Sequence, residues 1–187
     1  MVNAFEKTST TRVVAKEVSG VRRWFLATAC LSGMVIAGCS SAPAKTEQMK
    51  LNLAVTAKES VNPDDKGRAS PVVVRIYELK TEQTFEGADY FTLDKSDKTL
   101  LIQDLLVRNE FILRPGESRD IERRLNPDTQ ALGFLVGYRD LGKATWRSVY
   151  KLPAAPEAAW YRTAIPARKI KLQVSLDQQS ITISKPD

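Results

Sequence analysis

The residue with the most distinctive chemistry is Cys39, which follows Ile36, Ala37 and Gly38. An aliphatic residue followed by two small residues allows a peptidase to close on the backbone just before the cysteine. The thiol of Cys39 can carry a diacylglyceryl group through a thioether bond, and such acyl chains anchor a protein to a bilayer. These four positions predict cleavage before Cys39 and a covalent lipid on its sulfur, and we expect no cofactor besides this lipid.

The segment before Cys39 has the layout of a secretory signal peptide. Arg22 and Arg23 form a short positive region, and an apolar run over residues 24–36 follows it. This run is as long as a signal-peptide core and too short to cross a bilayer as a helix. Together with the four residues that end at Cys39, the layout resembles the bacterial lipobox, so residues 1–38 are predicted to be a signal peptide.

Other interpretations of this segment fit less well. Cleavage before Cys30 would leave only residues 24–26 as the apolar core. A transmembrane anchor needs about twenty apolar residues, and the run is ended by Ser40, Ser41, Pro43 and Lys45. Residues 1–20 are polar and untypical of a signal peptide, so translation could start near Val21 instead, because valine codons serve as bacterial starts.

The net charge gives little support for a nucleic-acid partner. Five basic and two acidic residues precede Cys39, so 23 basic and 20 acidic residues remain and the formal charge falls from +6 to +3. The chain has no cluster of basic residues with interleaved aromatics, and Lys169 and Lys171 have the spacing of a solvated strand face. We therefore expect no nucleic-acid binding. After cleavage Cys39 is the only cysteine, so no disulfide can form within the chain.

The residue types needed for catalysis are largely missing. The chain contains no histidine, which excludes Ser-His-Asp and Cys-His catalysis and most zinc or copper sites. The stretch Gly116-Glu117-Ser118 lacks the second glycine and the base of a nucleophile elbow. In the loop 62–67, Lys66 occupies a calcium-ligand position and the bidentate glutamate is absent. We predict no catalytic residues, no metal site and no enzyme activity.

Strand-like periodicity begins at Met49, after a short polar tether over residues 39–48. Eight segments alternate apolar and polar residues or are apolar throughout, and polar turns such as Pro115-Gly116 separate them. The pattern predicts an all-β fold over residues 49–187, an antiparallel β-sandwich of about eight strands. The segment 72–79 is apolar on both faces, so we place it centrally in a sheet. The predicted strands cover residues 51–56, 72–79, 101–113, 118–124, 132–140, 146–150, 170–176 and 181–183.

Helical spacing interrupts the strand pattern between residues 81 and 100. Phe85, Ala88 and Phe91 recur at helical intervals, which predicts one or two short helices between the second and third strands. We expect these helices to pack across an opening between the two sheets. Trp146-Arg147 fits either an anchor at the end of the sandwich or an exposed binding pair. The aromatic residues expected in the core are Phe85, Phe91, Tyr77, Phe134 and Tyr138.

Several local stretches follow one another in a distinctive order. They are Cys39, Asn62, Gly67 to Leu79, Phe85, Ala88 to Phe91 with Leu93, Asp104 to Leu106, Pro115 to Glu117, Leu132-Gly133, Tyr138 to Leu141, and Ala144 with Trp146-Arg147. In this order they resemble the type VI secretion lipoprotein family (TssJ/SciN), from the lipobox to about Leu176. The long leader before Val21 departs from the family pattern.

The resemblance implies a non-enzymatic lipoprotein with a transthyretin-like sandwich, anchored in the outer membrane and facing the periplasm. Ser40, rather than an aspartate, follows Cys39, which resembles the rule for sorting to the outer membrane. The resemblance also implies binding to the periplasmic C-terminal domain of the inner-membrane protein TssM, through the loop between the first two strands. That loop maps to residues 57–70, and the implied partner-binding residues are Asn62, Pro63, Asp64, Asp65, Lys66, Gly67 and Arg68.

The expected strand directions give an independent reason to examine this loop. If successive strands alternate in direction, the Asn62 loop, the Pro115-Gly116 turn and residues 140–143 lie together at one end of the sandwich. Loops on a rigid scaffold are where binding residues collect. Two alternatives stay open. The loop is merely solvated, or the lipoprotein binds a small apolar or sugar ligand within or at the end of the sandwich.

Overall fold

The computed structural model describes residues 48–153 and 168–186, and these residues form eight strands and two helices. The predicted signal peptide over residues 1–38, Cys39 and nearly all of the tether lie outside the described residues. Within the described ranges, neither helix has the length and apolar character needed to cross a membrane. The elements are β1 Lys50–Ala57, β2 Val72–Leu79, α1 Gln83–Gly87, α2 Tyr90–Leu100, β3 Leu105–Leu113, β4 Ser118–Arg124, β5 Ala131–Gly137, β6 Arg147–Lys151, β7 Lys169–Leu176 and β8 Ile181–Ser184.

The strands form two four-stranded sheets, with the orders β4-β1-β7-β8 and β3-β2-β5-β6. Neighbouring strands are antiparallel except for β1 and β7, which run parallel. Successive strands nevertheless alternate in direction along the chain, since β1 and β7 are both odd-numbered. The structure thus confirms the predicted all-β sandwich and the central place of β2, whereas the parallel pair was not foreseen.

Alternating apolar side chains of both sheets fill the interior of the sandwich. In β1, Leu51, Leu53 and Val55 are at most 2% exposed, while the residues between them are half-buried. Val74 of β2 and Phe134 of β5 belong to the same core cluster and are fully buried. The period of two in the sequence therefore corresponds to one face turned inward and one turned to solvent.

The two helices cover the outer face of the second sheet, so the prediction that they bridge an opening between the sheets was wrong. They connect β2 to β3, which are neighbours in that sheet, and therefore return across its face. Phe85 of α1 and Leu93 of α2 form a second buried cluster with Tyr77 and Leu135 of the sheet. β2 and β5 are apolar on both faces because one face meets the other sheet and the opposite face meets the helices.

Polar contacts fix α2 to the second sheet. The guanidinium group of Arg75, on β2, forms ion pairs with Asp94 at 2.8 Å and with Glu110. The hydroxyl of Tyr77 donates a hydrogen bond to Asp97 Oδ2 at 2.9 Å. Burial and the neighbouring Asp97 carboxylate raise the pKa of Tyr77, so this hydroxyl remains a neutral donor. These charged groups have partners inside the fold, which gives them a structural role.

Three details differ from or refine the sequence-based expectations. β3 begins at Leu105 rather than at residue 101, because residues 101–104 form the turn that follows α2. Phe91 is 62% exposed, so its assignment to the core was wrong. Arg147 donates hydrogen bonds to two carbonyl groups near α1 and stacks on Trp146, so this pair is structural. The other aromatic residues are buried as predicted, namely Phe85, Tyr77, Phe134 and Tyr138.

Candidate functional site at the loop end

The loops that follow the odd-numbered strands meet at one end of the sandwich, here called the loop end. The backbone N–H of Asn62 donates to the carbonyl oxygen of Gln178 at 3.0 Å, which joins the β1–β2 loop to the β7–β8 turn. Ala57 N–H donates to the Glu117 carbonyl at 2.9 Å, which brings in the β3–β4 turn. The predicted convergence of the β1–β2, β3–β4 and β5–β6 connections is confirmed, and the β7–β8 turn joins them.

Asn62 anchors the β1–β2 loop from the inside. Its side chain is 7% exposed, its Nδ2 donates to the Pro71 carbonyl at 2.9 Å, and its Oδ1 accepts from the Arg139 N–H at 2.7 Å. The backbone φ angle of Asn62 is +49°, a left-handed conformation that asparagine tolerates better than most residues. The preceding Val61 is fully buried. Asn62 therefore holds the loop in place and does not present its amide to solvent.

The carboxylate of Asp64 organises the loop tip. Its Oδ1 accepts the backbone N–H groups of Lys66 and Arg68, each at 2.9 Å, and its Oδ2 accepts Arg68 Nε at 2.7 Å. Gly67 occupies the tight turn between them with a φ of +76°, where a side chain would be strained. The hydrogen bonds from Arg68 hold the pKa of Asp64 below its usual value, so the carboxylate stays charged.

The exposed part of this loop is a ridge formed by residues 65–68, here called the loop ridge. The side chain of Asp65 is 92% exposed and that of Arg68 is 73% exposed. Asp65 also lies 3.7 Å from the guanidinium group of Arg139, in the β5–β6 connection. Of the seven residues predicted for partner binding, Asn62 faces inward, Pro63 and Asp64 are half-buried, and only the ridge residues are open to solvent.

Arg139 belongs to the same surface, and sequence reasoning did not include it. It lies 77 positions from Asn62, to which its backbone is hydrogen-bonded. The local sequence around Arg139 carries no signal for this neighbourhood, since the contact arises from the strand directions. Its guanidinium group adds a third cation to the surface that carries Asp65, Lys66 and Arg68.

The β3–β4 and β7–β8 turns add further charge at the same end. Gly116 has a φ of +75° in the predicted Pro115-Gly116 turn, and its bare Cα leaves room for the Glu59 carboxylate. Lys58 forms an ion pair with Asp177, and the hydrogen bond between their side chains lowers the pKa of Asp177. The described residues include no group of three or more metal-ligating side chains. Charge-based recognition of another macromolecule is the chemistry that this surface offers.

Comparison with known proteins identifies a family and solved structures that share this fold. A family model described as Type VI secretion lipoprotein (VasD, EvfM, TssJ) matches residues 49–179. The type VI secretion lipoprotein TssJ1 from Pseudomonas aeruginosa has a solved structure that is 37% identical, with a TM-score of 0.67. The match covers 75% of this chain and 98% of that one. Comparison with curated protein sequences gave no match.

Two more distant solved structures show the shared fold alone. Serratia marcescens Lip, a membrane-bound component of the type VI secretion system, is 22% identical and has a TM-score of 0.67. The match covers 75% of this chain and 99% of that one. A structure described as the TssM C-terminal domain from EAEC is 24% identical, with a TM-score of 0.55, over 73% of this chain and 98% of that chain. The family match and the similarity to TssJ1 decide the assignment: the chain belongs to the type VI secretion lipoprotein family and is a membrane-associated structural component, not an enzyme.

Proposed function

We propose that this protein is an outer-membrane lipoprotein that anchors the type VI secretion membrane complex. Lipid on Cys39 holds it in the membrane with the sandwich facing the periplasm. The loop ridge of residues 65–68, with Arg139, binds the periplasmic C-terminal domain of TssM. The observation that carries the proposal is the rigid, charged ridge on the β1–β2 loop of a chain that belongs to this lipoprotein family.

Rigidity of the ridge supports a binding role. Asn62 and Asp64 fix the loop through five hydrogen bonds from or to their side chains. A surface that is already ordered loses little conformational entropy when a partner binds. The ridge carries charges of both signs, which set orientation and association rate in a protein interface.

The position of the ridge also suits a coupling role. The chain enters β1 at Lys50, at the opposite end of the sandwich from the loop end. An eight-residue strand is about 26 Å long, so the ridge is displaced by roughly that distance from the point where the tether arrives. A partner that reaches across the periplasm from the inner membrane would meet the loop end.

The proposal is tested by exchanging two charges on the ridge. Asp65→Lys with Lys66→Glu keeps the net charge and inverts the local pattern, so complementary contacts become repulsive. We expect the Kd for the TssM periplasmic domain to rise at least about tenfold, which corresponds to about 1.4 kcal/mol. Isothermal titration calorimetry with the chain that begins at Ser40 measures this change.

The matched control makes the same exchange at the opposite end, with Asp128→Lys and Lys80→Glu, both exposed. It should bind like the wild type. Equal affinity of the ridge variant and the wild type would remove the ridge from the binding site. Deleting the whole loop is a poor test, because Val61 and Asn62 are buried and their loss would damage the fold itself.

The alternative of a small ligand within the sandwich has no observation in its favour. Between the two sheets, the described residues fill the interior, with Leu53, Phe134 and Leu172 at most 2% exposed.

A further inference from the structure

Three basic side chains lie side by side on the outer face of the first sheet, at the end where the tether arrives. Lys50 on β1 is directly opposite Arg124 on β4 and directly opposite Lys169 on β7. Residues in one register row share a face of the sheet. The next residue of β1, Leu51, is fully buried in the core, so this row points outward. We call Arg124, Lys50 and Lys169 the basic row.

The basic row has no counter-charge among the described residues. None of its three side chains forms an ion pair with a described residue. Among the described residues, Glu122 is the acidic residue in the next outward-facing row of the sheet, and it accepts a hydrogen bond from Asn52 at 3.1 Å. Like charges directly opposite one another in a sheet are destabilising. An external anion that binds the row would relieve this repulsion.

The tether determines which anionic surface lies nearest. Cys39 precedes Lys50 by eleven positions, and eleven residues span at most about 40 Å when fully extended. Gln48 and Met49 lead directly into the strand that carries Lys50. This inference rests on the proposed lipid on Cys39, because that lipid keeps the basic row within this distance of the bilayer.

We propose that the basic row binds anionic phospholipid headgroups of the bilayer that holds the lipid anchor. Lysine and arginine side chains near an anionic leaflet are attracted to it, and a basic patch strengthens the attachment that acyl chains provide. Contact through the basic row sets the orientation of the sandwich on the membrane. It directs the loop end away from the bilayer, towards the periplasm.

The test uses the unlipidated chain that begins at Ser40, so that acyl insertion cannot contribute. Both core clusters lie between residues 49 and 183, and TssJ1 is covered over 98% of its solved chain by this domain, so the shortened chain keeps its fold. Sedimentation with vesicles of phosphatidylethanolamine and phosphatidylglycerol measures binding, with phosphatidylcholine vesicles for comparison. We expect binding to the anionic vesicles only, and weakening of that binding by 0.5 M salt.

The decisive variant neutralises the basic row with Lys50→Gln, Arg124→Gln and Lys169→Gln. Each basic residue near an anionic leaflet contributes about fivefold to affinity, so binding should fall by at least tenfold. The matched control removes the same charge elsewhere, with Lys95→Gln, Arg114→Gln and Lys143→Gln, all exposed. It should retain most of the binding. An equal loss in both variants, or no binding by the wild type, would overturn the proposal.

A second measurement separates this inference from the proposed function. The lipidated chain has no free cysteine after cleavage, so a fluorophore can be placed by Asp128→Cys near the tether end or by Gln178→Cys at the loop end. In vesicles with quenchers on their headgroups, we expect strong quenching at position 128 and little at position 178. Equal quenching would reject the orientation. Binding of the TssM domain to the basic-row variant is a separate readout, and it should be unchanged.

Discussion

Asn62 joins the candidate binding loop to the rest of the sandwich, and its removal should be costly. Asn62→Ala leaves the Arg139 N–H and the Pro71 carbonyl without their partners, and it places alanine at a positive φ. Each unsatisfied buried group costs about 1–3 kcal/mol, so we expect the free energy of unfolding to fall by about 2–4 kcal/mol. Chemical denaturation of the chain that begins at Ser40 measures the change.

Two companion variants identify the cause. Asn62→Gly adopts the positive φ without strain but still loses both hydrogen bonds, so it should also be destabilised. Asp65→Asn changes a side chain that is 92% exposed and should alter stability by less than about 0.5 kcal/mol. If Asn62→Gly were as stable as the wild type, the hydrogen bonds would contribute little and backbone strain would explain the alanine result.

Asp64 gives the loop a defined pH dependence. Its pKa is lower in the folded protein than its ordinary value of 3.8, chiefly because its carboxylate accepts hydrogen bonds from Arg68. A lowered folded-state pKa stabilises the protein above the unfolded-state pKa, and this contribution is lost as the pH falls through the folded-state value. Asp64→Asn should therefore be less stable than the wild type at pH 7, and the difference should shrink below about pH 3.8. Thermal unfolding of both proteins between pH 2.5 and 7 measures it. A difference that is constant with pH would exclude the charge of Asp64 as its source.

At the scale of elements, Gly133 lets α1 lie close against the second sheet. A Cβ at this position in β5 would lie 3.0 Å from the ring of Phe85 and 3.2 Å from Leu79, and both side chains are fully buried. Gly133→Ala should displace α1 and lower the free energy of unfolding by about 1–3 kcal/mol. Gly87→Ala is the matched control, because nothing lies within 4 Å of its added methyl group. Equal stabilities of the two variants would show that the α1 interface adapts freely.

The elements show which parts of the fold were predictable from sequence. Apolar residues on both faces of β2 indicated correctly that it is central, because such a strand must be covered twice. The same pattern did not show that α1 and α2 supply one of the two covers, since periodicity gives no direction in space. Phe91 was misplaced for a related reason. Helical spacing groups it with Phe85, yet Phe91 belongs to the second helix and its side chain is exposed.

At the scale of the whole molecule, strand direction explains how the candidate site is assembled. Alternating directions were expected from the sequence, and they correctly placed the β1–β2, β3–β4 and β5–β6 connections together. The inward orientation of Asn62 was not predictable, because it depends on backbone groups of Pro71 and Arg139. Arg139 was missed because the fifth strand was expected to extend to residue 140, whereas β5 ends at Gly137. The basic row was missed because it arises from pairing between strands that are distant in sequence.

The two ends of the molecule imply a separation between binding and anchoring. If the ridge binds the partner and lipid on Cys39 provides attachment, an exported chain that begins at Ser40 should lose only the second property. We expect its affinity for the TssM periplasmic domain to match that of the wild type. It should fail to restore type VI secretion in a strain that lacks the lipoprotein, because two or more acyl chains are needed for stable anchoring. Cell fractionation measures membrane attachment, and calorimetry measures the affinity for the partner. A secretion assay at matched expression levels measures type VI secretion. Normal secretion by the unlipidated chain would mean that partner binding alone suffices and that the sandwich does not act as a mechanical link to the membrane.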